Sequence, residues 1–168
     1  MHSLSSRKRI RLPSGAYRLG HAFSITVTTK GRYPWFRLYM ELPAAAVDLL
    51  ACNAKDRGTL LYAWCIMPDH IRLLLQDRDV VDFVRLLKGK LAPLARRLEP
   101  DRARWQRSFY DHALRREETL SDVARYIWHN LVRAGLVMRA REYPWSGSLV
   151  WPDWTTMLEG GSGESGRG

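Results

Sequence analysis

Residues 60–76, LLYAWCIMPDHIRLLLQ, contain two apolar segments with a Pro-Asp step between them. The first segment, 60–67, is continuously apolar and aromatic, which is typical of a strand in the middle of a sheet. The second segment, 70–76, alternates, so that His70 and Arg72 share the strand face opposite to three aliphatic residues. The Pro-Asp step predicts either a tight turn or a bend between the two strands.

Outward from these strands, the spacing of apolar residues predicts further elements: a strand at 22–29, a helix at 43–57, a helix beginning at Asp79, a strand at 109–115 and a helix at 119–134. Gly89 and Pro93 predict that the helix after Asp79 kinks or ends near Ala92. The order of elements predicts an α+β fold, in which an antiparallel sheet is covered by helices on one face.

The composition favours a basic, single-domain protein. The chain has 168 residues, enough to bury a core without disulfides or a structural metal. It contains 27 Lys and Arg against 17 Asp and Glu, a formal net charge of +10. Such an excess is typical of nucleic-acid-binding domains, although a merely soluble basic protein has the same composition. The sequence shows no apolar run that could span a membrane and no secretory signal, and the isolated Cys52 and Cys65 indicate reduced thiols in a cytoplasmic protein.

Tyr126 and Asn130 lie four residues apart in the last predicted helix, so their side chains project from the same helix face. They flank the apolar positions of that helix instead of joining them. A tyrosine in this place can point into a cleft and attack a phosphodiester, provided that a metal or a base activates it. The alternative is a partly buried tyrosine whose hydroxyl forms an ordinary hydrogen bond.

His70 and Arg72 are two residues apart on one strand face, a spacing at which two histidines can hold one divalent ion. The guanidinium of Arg72 has no lone pair and stays protonated, so it cannot be a ligand. It is suited instead to bind a phosphate through two hydrogen bonds. His70 by itself is therefore either one metal ligand or a structural histidine.

Cations and aromatic residues alternate at 104–110, RWQRSFY. In proteins that bind single strands, bases stack on such aromatic side chains while arginines hold the backbone. The alternative is that Trp105, Phe109 and Tyr110 belong to the core beneath a charged rim.

Six motifs together resemble the IS200-like single-tyrosine transposases, most closely the REP-associated tyrosine transposases. They follow one another in the order and spacing of that family: TVTTKGRYPWF (26–36), AWCIMPDHIRLLL (63–75), LKGK (87–90), WQRSFYDHALRREETL (105–120), RYIWHNLVRAGLV (125–137) and EYPWSGS (142–148). The resemblance implies a ferredoxin-like antiparallel sheet. It also implies nicking and rejoining of single-stranded DNA beside a hairpin, through a covalent phosphotyrosine and with Mg²⁺ or Mn²⁺ as cofactor.

Position by position, the resemblance implies that Tyr126 is the nucleophile and that His70 and Asn130 are metal ligands. Arg72 stands where the family has the second histidine of a His-hydrophobic-His pair. Replacing one of three protein ligands by a cation predicts weak metal binding, and slow or absent cleavage.

Two functional hypotheses follow. The first is a metal-dependent transposase or nickase with an impaired metal site, in which His112 or His129 could substitute for the missing ligand. The second is a catalytically degenerate protein that binds REP-like hairpins without cleaving them. The same DNA contacts are predicted for both: Lys30, Arg32, Arg72, Lys88, Lys90, Arg104, Trp105, Arg107 and Arg133.

The predicted organisation has three parts: a basic N-terminal arm at 1–14, the IS200-like domain at 15–158, and a disordered Gly/Ser-rich tail at 159–168. The expected partner is hairpin-containing single-stranded DNA and not a membrane. The expected location is the bacterial cytoplasm, at the nucleoid, and the chain is expected to be a monomer or a homodimer.

Overall fold

The computed structural model describes residues 21–115 and 119–159. Its centre is an antiparallel sheet with the spatial order β4-β1-β3-β2-β5. The strands are β1 (Phe23–Thr28), β2 (Leu60–Ile66), β3 (His70–Gln76), β4 (Tyr110–Ala113) and β5 (Ser146–Gly147). The predicted arm at 1–14, and all of the predicted tail but its first residue, lie outside the described residues, so the domain boundaries stay predictions.

β2 and β3 form the predicted pair, and the Pro-Asp step between them is a tight turn. The turn is closed by a hydrogen bond from the amide of Met67 to the carbonyl of His70, at 2.8 Å. Ile66 pairs with Ile71 directly beyond it. The register of the two strands shifts between Leu61 and Ala63, so β2 contains a bulge near its start.

The helices are α1 (Trp35–Leu38), α2 (Glu41–Arg57), α3 (Val80–Leu98), α4 (Leu120–Trp128) and α5 (Asn130–Arg133). The starts of α2, α3 and α4 lie within two residues of the predicted positions, whereas the sequence does not predict α1. The side chain of Asp79 caps α3, and that of Thr119 caps α4, each by accepting a backbone N–H three residues on. Gly58 ends α2 in the left-handed conformation, with φ 67°. Within the described ranges, we find no helix with the length and apolarity needed to cross a membrane.

The prediction that the third helix kinks or ends near Ala92 is wrong, because α3 continues through Pro93 to Leu98. Proline in a helix interior costs about 3 kcal/mol. The buried side chains of Leu91 and Ala95 lie on either side of Pro93, and burying one large aliphatic side chain contributes roughly 1.5–3 kcal/mol. Continued burial of this apolar stripe therefore outweighs the cost of the proline.

The last predicted helix, 119–134, is divided in the structure. His129 separates α4 from α5, although its own backbone dihedrals remain helical (φ −75°, ψ −6°). Gly135 follows α5 with φ 71°, and the amide of Leu136 donates to the carbonyl of Leu131. The helix thus ends at the predicted glycine.

Two apolar cores lie on opposite faces of the sheet. On one face, Ile71, Leu73 and Leu75 pack with α2 and α3. On the other face, Leu74 packs with Trp128 and the other buried residues of α4. The predicted α+β class with a ferredoxin-like antiparallel sheet is confirmed. The sequence predicts helices on one face of the sheet. α2 and α3 do cover one face, but α4 covers part of the opposite face.

Candidate active site and nucleic-acid interface

A row of paired residues crosses the sheet on the face away from α2 and α3. Arg72 on β3 pairs with Thr26 on β1 and with Cys65 on β2, and Thr26 pairs in turn with Tyr110 on β4. Paired residues on neighbouring strands share a face, so these side chains lie side by side. Because β3 is the third of five strands, Arg72 lies at the centre of this face.

His70 lies on the same face and is held by the carboxylate of Asp69, with 2.6 Å between Nδ1 and Oδ1. A carboxylate only accepts hydrogen bonds, so Nδ1 donates and Nε2 has the lone pair. The side chain of His70 is only 9% exposed, and Nε2 has no hydrogen-bond partner among the described residues. Burial lowers the pKa of His70 below its ordinary value, although Asp69 acts in the opposite direction. His70 is therefore a neutral imidazole at physiological pH.

Asp69 joins the β2–β3 turn to the basic turn that follows β1. Its second carboxylate oxygen accepts a hydrogen bond from Nε of Arg32 at 2.9 Å, and its carbonyl accepts one from the amide of Thr29 at 3.0 Å. Burial opposes ionisation of Asp69, but the hydrogen bonds from Arg32 and His70 outweigh it and hold the pKa of Asp69 below its ordinary value. The ionised carboxylate thus fixes His70 and Arg32 together.

Tyr126 projects from α4 with 57% of its surface exposed. Two guanidinium groups lie near its ring: Cζ of Arg133 is 4.0 Å from the ring centroid, and Cζ of Arg72 is 6.0 Å from it. Cations at such distances are attracted by the face of an aromatic ring. The hydroxyl-bearing ring is therefore open to solvent and lies beside two positive charges.

Asn130 is linked to Tyr126 through Arg133. Nη2 of Arg133 donates to the carbonyl of Tyr126 at 2.7 Å and to Oδ1 of Asn130 at 3.4 Å. Tyr126 and Asn130 are thus close together, as predicted, and both contact Arg133. The amide oxygen of Asn130 already has a cationic partner.

The first of two adjoining clefts, which we name the basic cleft, has a volume of about 550 Å³. Lys30, Arg32 and Arg72 contribute its positive charge, and His70 contributes an imidazole to its wall. Arg32 adopts a left-handed backbone with φ 55°, which is uncommon for a residue other than glycine. Its ion pair with Asp69 holds this turn against β3.

The second cleft, which we name the tyrosine cleft, has a volume of about 610 Å³. It is lined by Tyr126 and His112, and it shares Arg72 and Tyr110 with the basic cleft. Tyr110 is 51% exposed. A continuous path therefore leads from the turn after β1, past Arg72, to the exposed tyrosine of α4.

The residues of this face do not fit a divalent site with three protein ligands. The Nε2 lone pair of His70 is a suitable ligand, and its Asp69 partner is typical of metal-binding histidines. Arg72, however, has no lone pair and places a positive charge beside it. Asn130 lines neither cleft. In the described ranges, no group of three His, Cys, Asp or Glu side chains is placed to hold an ion.

The predicted DNA-binding cations differ in their surroundings. Arg104 and Arg107 are exposed and line a third cavity of about 480 Å³, which they share with Lys30. Lys90 is exposed on α3 but lines none of these three cavities. Lys88 is half-buried, and its ammonium donates to the carbonyl of Gln106 at 2.8 Å. Lys88 thus holds the loop before β4 against α3.

Trp105 packs against the protein core, so its ring is not free to stack on a base. Its ring centroid lies 4.7 Å from that of the fully buried Trp35, and its indole N–H donates to the carbonyl of Lys88 at 3.2 Å. Phe109 is buried in the same core. Of the three aromatic residues in 104–110, Tyr110 is the one with an exposed ring.

Sequence reasoning misses one residue of this site and leaves the role of another open. The sequence indicates Asp69 only as part of a turn, although an acidic residue directly before a candidate ligand histidine is a signal for an orienting carboxylate. For Tyr110 the sequence allows either stacking on bases or packing in the core, and its position in the row with Arg72 follows from a pairing register that the sequence does not show.

Comparison with known proteins relates these features to one family. A family model described as "Transposase IS200 like" matches residues 19–130. A protein of Haemophilus influenzae, named "Putative REP-associated tyrosine transposase", is 32% identical over 98 residues, which are 50% of this chain and 56% of that protein. The match thus spans little more than half the length of this curated relative.

Two solved structures are similar. The structure of a REP-associated tyrosine transposase bound to a REP hairpin matches with a TM-score of 0.60 and 22% identity, over 76% of each chain. This likeness shows a shared fold. A "putative transposase" from Deinococcus radiodurans matches with a TM-score of 0.47 and 28% identity, over 63% of this chain and 87% of that chain. Since the family model covers about two thirds of the sequence, the chain belongs to the IS200-like transposase family.

Proposed function

We propose that the protein binds single-stranded DNA beside a hairpin, with the strand lying along the basic and tyrosine clefts. The observation that supports this proposal best is the position of Arg72, a central cation shared by both clefts. Arginines that line the path can hold phosphates, while exposed aromatic rings stack on bases with roughly 1–3 kcal/mol per base. Tyr110 and Tyr126 are the exposed rings on this path.

The choice of a hairpin ligand rests on the relatives. The solved structure that shares this fold is of a protein bound to a REP hairpin. The net charge of +10 favours association with any polyanion, and so supports DNA binding without specifying its form. Action on this partner implies a location in the bacterial cytoplasm, at the nucleoid.

The proposed contacts follow from exposure and position. Lys30, Arg32 and Arg72 would bind phosphates in the basic cleft, and Arg104 and Arg107 would extend the contact towards the third cavity. A further phosphate contact is proposed for Arg133, beside Tyr126. The role of Lys88 is to support the loop before β4, whereas Lys90 adds only to the general positive field.

A second candidate function, cleavage by Tyr126, is favoured by the exposure of this side chain in the tyrosine cleft. The phenol oxygen would form a bond to phosphorus, the bond from phosphorus to one deoxyribose oxygen would break, and the phenolic proton would pass to that oxygen. Arg72 and Arg133 are the groups that could stabilise the developing charge. Loss of one stabilising donor typically costs about 3–4 kcal/mol of activation free energy, so we expect cleavage to be slow.

One experiment tests both functions. A labelled stem–loop DNA with single-stranded flanks is titrated with the protein at several salt concentrations, and the affinity is measured by fluorescence anisotropy. We expect log affinity to fall linearly with log salt, with a slope of about 0.7 per phosphate contacted. A flat response would contradict DNA binding.

The same mixtures, incubated with Mn²⁺ and run on a denaturing gel, report cleavage. A covalent protein–DNA adduct that disappears in Tyr126→Phe would support the second function. Binding with no adduct in the unmodified chain would leave the protein as a hairpin binder alone.

A further inference from the structure

Arg72 lines the basic cleft, and its Nε is a buried donor without a hydrogen-bond partner among the described residues. Arg72 also forms no ion pair with any described residue. A guanidinium that is partly removed from water without an anion raises the free energy of the folded state. The cleft is thus arranged for a ligand that supplies negative charge.

The rest of the lining is consistent with an anion. Three cations, Lys30, Arg32 and Arg72, line the basic cleft together with three threonines at 26, 28 and 29. None of the described residues that line it is acidic. The nearest carboxylate, that of Asp69, is already engaged by Arg32 and His70. A phosphate entering this cleft would therefore meet hydroxyl donors and positive charge. Because Nε2 of His70 presents a lone pair, the phosphate would lie towards Arg72 and away from the imidazole.

Resting on the DNA binding proposed above, we infer that the guanidinium of Arg72 binds one backbone phosphate directly, beside His70 and without a divalent ion. The cation is built into the chain, so the contact needs no metal. Arginine matches a phosphate with two parallel hydrogen bonds, which adds geometric specificity to the charge.

The position of Arg72 defines where this phosphate lies. Arg72 borders both clefts, and its Cζ is 6.0 Å from the ring centroid of Tyr126. The bound phosphate therefore lies at the border of the two clefts and next to the tyrosine. The tyrosine cleft is also lined by one carboxylate, that of Asp122, which is paired with Arg125. One phosphodiester of the single strand should thus contact Arg72, and its charge should contribute far more to the affinity than the charge of the neighbouring phosphodiesters.

Replacing the DNA phosphates one at a time by an uncharged group tests this assignment. The probe is a fluorescein-labelled stem–loop DNA with oligothymidylate flanks, in which a single uncharged methylphosphonate replaces one phosphate at a time. All affinities are measured by anisotropy in EDTA. We expect one linkage to weaken binding by the unmodified chain about tenfold, as loss of a charged hydrogen bond would. In Arg72→Gln the same substitution should cost nothing further.

Matched variants separate this contact from general charge loss and from misfolding. Arg97→Gln removes one exposed cation from α3, on the far side of the sheet, and should keep the full penalty at the sensitive linkage. Arg72→Lys keeps the charge without the paired donors and should show a smaller penalty. Thermal melts of each variant report folding.

The outcomes are distinguishable. If the stem–loop fails to bind the unmodified chain in EDTA and in Mn²⁺, the proposed function itself is wrong. If the DNA binds, but each methylphosphonate weakens binding to the unmodified chain and to Arg72→Gln by the same factor, only the assignment of Arg72 is overturned. The same conclusion follows if the sensitive linkage appears in the unmodified chain only with Mn²⁺.

Discussion

The guanidinium of Arg133 lies over the ring of Tyr126, with its Cζ 4.0 Å from the ring centroid, and the same group donates to the carbonyl of that tyrosine at 2.7 Å. One side chain therefore contacts both the ring and the backbone of Tyr126. Arg133 restricts the directions in which the exposed tyrosine points, and it brings positive charge to the position where a phosphate would approach.

Arg133→Ala should loosen Tyr126 without unfolding the protein. Loss of an exposed cation–π contact lowers the free energy of unfolding by about 0.5–1 kcal/mol. Affinity for the stem–loop should fall more than in Arg139→Ala, which removes another exposed arginine from the same region. Thermal melts and anisotropy measure the two effects. Equal losses of affinity in the two variants would contradict a specific role for Arg133.

Asp77→Ala should destabilise the protein by about 1–3 kcal/mol, because it removes a buried acceptor of hydrogen bonds while Arg57 keeps its ion pair with Asp82. The side chain of Asp77 is 2% exposed, and its carboxylate accepts hydrogen bonds from Nη2 and Nε of Arg57 at 2.8 and 3.1 Å. The comparison variant is Asp48→Ala, at an exposed position of α2. Chemical denaturation at neutral pH measures both.

The same pair predicts a dependence on pH. Burial opposes ionisation of Asp77, but the hydrogen bonds from Arg57 and Thr59 outweigh it and hold its pKa below the ordinary value of 3.8. The folded-state pKa is thus the lower one, so the stabilisation is fully present above pH 3.8 and is lost as the pH falls through the folded-state pKa. The difference between the unmodified chain and Asp77→Ala should shrink in that acidic range. A constant difference would show that Asp77 acts through packing alone.

Alkylation should distinguish the two cysteines. Burial raises the pKa of Cys65 to about 12, and the residue is fully buried, so no reactive thiolate is accessible at neutral pH. Cys52 is exposed. Iodoacetamide should therefore add one label to the native protein and two to the protein in denaturant, as counted by mass spectrometry. Native Cys52→Ser should take up no label, and any labelling of it would contradict the burial of Cys65.

Two glycine substitutions should have opposite signs. A Cβ at Gly147 on β5 would collide with the indole of Trp64, so Gly147→Ala should destabilise the protein by about 1–3 kcal/mol. A Cβ at Gly89 in α3 would meet nothing within 4 Å, so Gly89→Ala should stabilise it by about 0.5–1 kcal/mol. Chemical denaturation of both variants checks the prediction. A gain in stability from Gly147→Ala would show that Trp64 can move aside.

Local signals in the sequence were sufficient for much of the fold. The apolar segments around Pro68 and Asp69 predicted the β2–β3 hairpin, and Asp79 and Thr119 predicted the starts of α3 and α4. These features depend on neighbouring residues in the chain, which is why periodicity and capping preferences describe them. The shared face of His70 and Arg72 follows from the same local rule.

The remaining features depend on contacts between distant residues. Trp128 of α4 and Tyr62 at the bulge of β2 belong to one core and are joined by the ring of Trp151, whose centroid lies 6.2 and 5.4 Å from theirs. Trp105 packs on Trp35, which is 70 residues earlier in the chain. Helical periodicity predicts that a residue is buried but not against which partner, so neither contact could be derived from the sequence.

The two outer strands of the sheet are short: β4 has four residues and β5 has two. An exposed strand edge offers unpaired amide and carbonyl groups to the backbone of another copy, and the length of that edge limits how firmly the copies can join. Several copies gathered on one stretch of DNA would be at high local concentration. The brevity of β4 and β5 would then oppose fusion of their sheets into a continuous aggregate.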